Sequence, residues 1–205
     1  MQTKSMSVYG VGTNDASYPV HLSKAIEGRI VSSWKCPFYR AWNNMLTRCY
    51  SEKEHKRRPI YIGCSVVREW HSFSAFRGWM VEQQWEGNHL DKDILSPGNK
   101  VYGPDTCVFV PGKLNGFIVD QGGSRGEWPL GVHWRKDAGK FRAGCSNPLT
   151  GKCDHLGYFD TPEEAHEAWR ARKHELACKY ADQQSDPRIA AALRTRYANN
   201  TGETK

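Results

Sequence analysis

Residues 88–117 read NHLDKDILSPGNKVYGPDTCVFVPGKLNGF, and the fold of the N-terminal half turns on how they are read. His89, Asp91 and Asp93 alternate, so on an extended strand over residues 89–95 they share one face at intervals of about 7 Å. The run SPGN then forces a turn. A second strand is expected over residues 106–110, and a short helix carrying Asn115 starts at Pro111. The order is strand, loop, strand, helix. An imidazole and two carboxylates on one face, completed by an amide from the helix, are a candidate oxygen-rich site for a divalent cation. Hard ligands of this kind suit magnesium or manganese, with a nearby base to activate water. The same spacing also describes a plain polar strand face, with Asn115 capping its own helix.

Working outward, CPFYRAWNNMLTRCY places Phe38, Trp42, Met45, Leu46 and Cys49 at helical spacing, with Pro37 suited to the first turn. SEKEHKRRP is a charged loop, with Lys53, Lys56, Arg57 and Arg58 as candidates for phosphate contact. IYIGCSVV reads as a strand. EWHSFSAFRGWMVEQQW reads as a second helix, with Trp70, Phe73, Phe76, Trp79 and Met80 turned inward. Residues 1–33, rich in Gly, Ser and Asn and without sustained periodicity, read as a loosely attached arm.

Beyond a linker at residues 121–127 the pattern changes. LGVHWRKDAGKFRAGCSN predicts two strands joined at DAGK, and DHLGYF a third. TPEEAHEAWRARKHELACKYA predicts a helix with Thr161 as N-cap, Pro162 in the first turn, and Glu163 and Glu164 where the helix dipole favours carboxylates. Asp186 and Pro187 open a last short helix. Strand alternation turns Phe141, Ala143 and Cys145 toward the long helix. It leaves His133, Arg135, Lys140 and Arg142 on the outer face, with Lys136 and Lys152 at the ends. Residues 130–158 hold five Lys or Arg against two acids, Asp137 and Asp154, and the module's other acids lie on the covering helix. One basic sheet face fits a DNA groove, where cations meet phosphates and arginines read guanine edges.

Composition agrees. The chain has 205 residues, 29 Lys and Arg against 22 Asp and Glu, eight Trp and nine Tyr. A basic, aromatic-rich chain points to a nucleic-acid partner rather than a membrane. No apolar run is long enough to span a bilayer, and the N-terminus lacks a signal-peptide core, which implies a cytoplasmic protein. Cys36, Cys49, Cys64, Cys107, Cys145, Cys153 and Cys178 include no CxxC pair. They read as free thiols in a reducing compartment rather than as a structural zinc site.

Two resemblances follow from these residues. LGVHWRKDAGKFRAGC and HLGYFDTPEEAHEAW, within residues 128–181, resemble the Apetala-type domain of plant ethylene-response factors, which also occurs in phage and mobile-element endonucleases. That resemblance implies a sheet docked in the major groove, with His133 and Arg135 standing where the plant first strand has arginines. Gly144 and Ser146 replace a glutamate and an arginine used in base contacts, and His155 stands where a tryptophan would, so a different target sequence is implied. Residues 34–118, through YRAWNNMLTRCYS, PIYIGCSVVREWHSFSAFRGWM and LDKDILSPGNKVYGPDTCVFVPGKLN, resemble phage HNH-like proteins of the homing-endonuclease type. That resemblance implies a His-Me finger (ββα) fold. In it Asp91 is the metal-binding aspartate, Asn115 the helix ligand, Lys92 stands at the general-base position, and Thr106 replaces the middle asparagine.

The expected fold is therefore α+β: an arm at 1–33, a His-Me finger domain with flanking helices at 34–120, a linker at 121–127, and a three-stranded antiparallel sheet on a helix at 128–198, with a tail at 199–205. The expected activity is metal-dependent cleavage of double-stranded DNA by an HNH-type hydrolase. Asp91, Asp93 and Asn115 would hold the metal, and His89 or Lys92 would handle the proton. His133, Arg135, Lys136, Lys140, Arg142, Lys152 and His155 would contact DNA. The alternatives are a DNA-binding regulator of the same build without cleavage, and an inhibitor that binds a host protein. If a phage encodes the chain, the host cytoplasm is its compartment.

Overall fold

The computed structural model describes residues 7–119 and 127–198. All of the expected linker except Glu127, the tail and the first six residues of the arm lie outside the described residues. The chain divides into two compact units, Met1–Val110 and Pro111–Lys205. Both mix helices and small sheets, so the class is α+β. Among the described residues no helix is long and apolar enough to cross a membrane.

The arm expected at the start carries pairing. Strands β1 (Ser7–Val8) and β2 (Gly12–Thr13) form one hairpin, and β3 (His21–Ile26) and β4 (Arg29–Lys35) a second, exposed along its whole length. Ile26 pairs with Arg29 across Glu27 and Gly28, both at positive φ (47° and 75°). A two-residue loop of that conformation matches the twist of a hairpin, which alternation alone did not disclose.

Helix α1 (Pro37–Tyr50) forms where its spacing predicts and buries Trp42, Met45, Leu46 and Cys49. Trp42 donates its indole N–H to the carbonyl of Trp70 at 2.7 Å, so the largest core side chain leaves no polar atom unpaired. The charged loop begins as helix α2 (Glu52–Arg57), with Ser51 accepting from the Glu54 amide. The strand expected next is instead a 3-10 turn, Pro59–Tyr61, followed by a two-residue strand β5 (Ser65–Val66). Pro59 and Gly63, the latter at φ 79°, keep the run from extending. A second 3-10 turn, Arg68–His71, precedes helix α3 (Phe73–Val81), which is shorter than expected and leaves Trp79 half-buried. Its N-terminus is fixed by Ser72, which accepts from the Ala75 amide, and by Asp15, which takes both serine hydroxyls (Ser72 and Ser74) at 2.6 Å.

Strand β6 (Asn88–Asp91) pairs with β8 (Val108–Pro111), and β7 (Val101–Tyr102) runs parallel to β5. The strand expected to reach residue 95 therefore stops at Asp91. Helix α4 (Gly112–Ile118) falls in the second unit. There the ammonium of Lys173 donates to the carbonyl of Phe117 at 2.6 Å, and Arg196 donates to that of Ile118 at 3.1 Å.

The second unit is a three-stranded antiparallel sheet in the order β11 (Lys152–Phe159), β10 (Lys140–Asn147), β9 (Val132–Arg135). Helix α5 (Pro162–Ala181) covers one face, opening with a full capping box between Thr161 and Glu164, and α6 (Pro187–Arg196) packs on α5. Val132, Phe141, Ala143 and Ala165 form the core between sheet and helix. Gly131, at φ 77°, lies so close to the Trp169 ring that a Cβ there would overlap it. This is why the motif requires glycine before its first strand.

Candidate nucleic-acid interface

The acidic stretch comes first. Asp91 is buried, and its Oδ1 accepts the backbone N–H of Asp93 at 2.8 Å and of Ile94 at 2.7 Å. That is the local carboxylate-to-backbone bonding that ends strands, and it explains why β6 stops here. Burial raises the Asp91 pKa above the usual carboxylate value against these two hydrogen bonds. Lys92 is 5 % exposed. Its ammonium donates to Asp93 Oδ1 (2.8 Å), Asp93 Oδ2 (2.9 Å) and the Asn99 carbonyl (2.5 Å), and it lies 5.8 Å from the Tyr102 ring centroid. Asn99 returns the tie by donating to the Lys92 and Val101 carbonyls. Thr106 donates its hydroxyl to the Val101 carbonyl at 2.8 Å.

His89, Asp91 and Asp93 therefore do not share one strand face. His89 is exposed, Asp91 is buried, and Asp93 lies in the turn paired with Lys92. Asn115 sits on α4 in the second unit, and its Oδ1 is buried with no hydrogen-bond partner among the described residues. Among those residues no group of three or more His, Cys, Asp or Glu is arranged to hold a metal ion. As donors for magnesium or manganese, Asp91, Asp93 and Asn115 fit poorly. Asp91 Oδ1 is used by two amides, and Asp93 is already neutralised by an ammonium. The Lys92 ammonium has its bonds committed to Asp93 and the Asn99 carbonyl.

The sheet face is assembled as alternation requires. Arg142 stands opposite His133 on β9 and Tyr158 on β11, and Lys140 stands opposite Arg135. His133, Arg135, Lys140, Arg142 and Tyr158 thus share the face turned away from α5. His155 is paired with Gly144, across a register shift between Ala143 and Gly144. Arg142 donates its Nε to His155 Nδ1 at 3.2 Å. Its terminal NH2 groups have no partner among the described residues. The outer cations carry their own carboxylates: Arg135 grips Asp137 with two bonds of 2.9 Å, and Lys140 meets Asp160 at 3.0 Å. The hydrogen bond from Arg135 holds the Asp137 carboxyl below its usual pKa. Lys136 is exposed at the β9 end. Lys152, placed by the sequence at the end of the basic face, is in register with Asn147, on the side of Phe141, Ala143 and Cys145. The bulge and strand length decide that placement, and alternation along β10 does not reach it.

The covering helix is less acidic than expected. Its Glu167 and Glu175 are matched within the helix by Arg170, Arg172 and Lys179, and Arg172 also pairs with Asp154 at 2.7 Å. Sequence reading missed Tyr158, 47 % exposed on the basic face, and Trp134, 45 % exposed beside Phe141. It also missed Lys173, a buried cation on α5. Tyr158, next to Phe159 in the chain, is placed on the basic face by its register opposite Arg142, and register is what a single strand lacks. No protein-family model, no curated protein and no solved structure matches the chain.

Proposed function

We propose that the protein binds double-stranded DNA through the outer face of the β9–β10–β11 sheet, and that binding rather than cleavage is its function. The observation that carries this reading is the row His133–Arg142–Tyr158 across three strands, flanked by Arg135 and Lys140 on the face that α5 leaves open. Three strands at about 4.8 Å spacing span ~10 Å, which suits a major groove about 12 Å wide. Arg142 at the centre has its bidentate end available for a guanine edge. Arg135 and Lys140 sit in exposed ion pairs worth little, so phosphates can replace Asp137 and Asp160 at small cost. His155 and Lys136 stand at the margins as backbone contacts. The resemblance of residues 128–181 to the Apetala-type domain supports the same face. The HNH-like resemblance supports descent from DNA endonucleases, but Lys92 and Asp93 are bound to one another where that chemistry needs a base and a metal ligand.

Fluorescence anisotropy on duplex DNA tests the reading. Affinity should fall steeply with salt, with a log–log slope of magnitude about 4 to 8. Arg142→Ala should cost roughly 1–3 kcal/mol on a selected site and less on random duplex. A flat salt response would refute binding. Divalent-cation-dependent cutting of long DNA, lost in Asp91→Ala, would replace binding alone with the endonuclease reading.

A further inference from the structure

The first unit holds a polar cleft of about 400 Å³ that the sheet reading does not use. Helix α1 supplies Arg40, Asn44 and Arg48 to one wall, four residues apart, so they stack along the side opposite its buried stripe. His89 lies on the facing wall, and Trp85 and Phe109 form the apolar part. No Asp or Glu lines the cleft. Arg40, Asn44 and His89 make no side-chain hydrogen bond or ion pair among the described residues. Arg48, by contrast, is fixed: it donates to the Leu90 carbonyl at 3.5 Å, lies 5.7 Å from the Tyr61 ring centroid, and is held by the Tyr102 hydroxyl and the Asp91 charge. The cleft thus has one tethered cation, one cation without a partner among the described residues, and an aromatic part.

We propose that this cleft binds a nucleoside phosphate, either free or as an unpaired nucleotide of a single strand. Two guanidinium groups without a carboxylate in the lining select an anion, and phosphate matches their fork geometry. Arg40 and Arg48 are eight residues apart, about 12 Å along the helix axis, a span that fits an elongated ester better than a bare ion. The half-buried Trp85, packed on Phe38 at 4.8 Å, offers a ring face for a base, and the Asn44 amide can meet a base edge. The volume falls within the range of about 300–1,000 Å³ usual for small-ligand sites.

Calorimetric titration of the full chain with adenosine monophosphate, inorganic phosphate and a single-stranded hexanucleotide tests this. The monophosphate should bind with a Kd below ~1 mM, and inorganic phosphate more weakly. Arg40→Ala and His89→Ala, both at exposed side chains without partners, should keep the far-ultraviolet spectrum. Arg40→Ala should weaken the monophosphate about tenfold or more. A hexanucleotide that binds more tightly than the monophosphate and loses affinity in Arg40→Ala identifies a strand as the source. Monophosphate binding alone identifies the free nucleotide. No heat with the monophosphate at ~1 mM, or an unchanged affinity in both variants, overturns the proposal. Arg142→Ala should leave monophosphate binding intact, so failure of the sheet reading and failure of this one are separate results.

Discussion

Lys92 decides whether the acidic loop is a working site or a structural lock, and Lys92→Met puts the two apart. Methionine keeps the buried stem and removes the ammonium. Three contacts are lost: the bidentate pair with Asp93, the bond to the Asn99 carbonyl, and the approach to Tyr102. The Asp93 side chain is 40 % exposed, so water can resolvate it, and that pair counts as about 1 kcal/mol. A charge-assisted bond to a carbonyl contributes about 1.5–3 kcal/mol. Relief of the ammonium's own desolvation offsets part of the sum. The expected loss is about 2 kcal/mol. With a urea slope of roughly 2 kcal/mol per molar, that moves the unfolding midpoint down by about 1 M. Tryptophan fluorescence reads the transition, because Trp42, Trp70, Trp79 and Trp85 all belong to the first unit. In a double-mutant cycle with Asp93→Asn, the two losses should overlap by about 1 kcal/mol. A Lys92→Met midpoint within ~0.2 M of wild type would refute the lock.

Three more outcomes follow from the geometry. Burial pushes the Cys49 and Cys107 thiols up to about 12, so at pH 8 only about one in ten thousand is thiolate, and the exposed Cys153 should be alkylated first by iodoacetamide, as mass spectrometry of timed digests would show. The raised Asp91 pKa means the folded state holds its proton more tightly than the unfolded chain does. Its contribution to stability is lost as pH rises from the ordinary carboxylate value through the raised one, so Asp91→Asn, which keeps the Oδ1 acceptor, should gain on wild type in urea titrations as pH rises through that window. A fragment starting at Pro111 should resist urea better than one starting at Glu127, by about 2–3 kcal/mol, since the latter loses the burial of Phe117 against Tyr180 and Tyr197.

Helices were the most legible part of the chain because their evidence is local. The stripe Trp42–Met45–Leu46–Cys49 and the signals from Thr161 to Glu164 each lie within one element, and α1 and α5 form where they predict. The sheet of the second unit was legible for a related reason: Phe141, Ala143 and Cys145 alternate on a strand long enough to show it. Short strands were not. β5 and β7 have two residues each, too few for any alternation, and their pairing is set by distant chain. The β3–β4 hairpin buries nothing, so the apolar positions that reveal strands carry no pattern there. At the candidate site, residue types were legible and their partners were not. Sequence spacing placed His89, Asp91 and Asp93 on one face by assuming an unbroken strand, and the Asp91 carboxylate is itself what breaks it.

A carboxylate that ends a strand, an ammonium bound to the next carboxylate and an asparagine bridging two carbonyls form a closed set of partners. Closed sets hold a turn; they have little left to offer a ligand. Arg142 is the opposite case. Its Nε is held by His155, which orients the guanidinium, while its terminal nitrogens remain available. Arg40 and His89 are open in their cleft, with no side-chain partner among the described residues, beside an Arg48 tethered to the Leu90 carbonyl and the Tyr61 ring. An oriented group with an unused bonding end is what recognition requires, because it meets a ligand without first breaking a bond or losing much freedom. By that criterion the groups open to a ligand lie on the outer sheet face and in the α1 cleft. The acidic loop between them in sequence is the part that holds still.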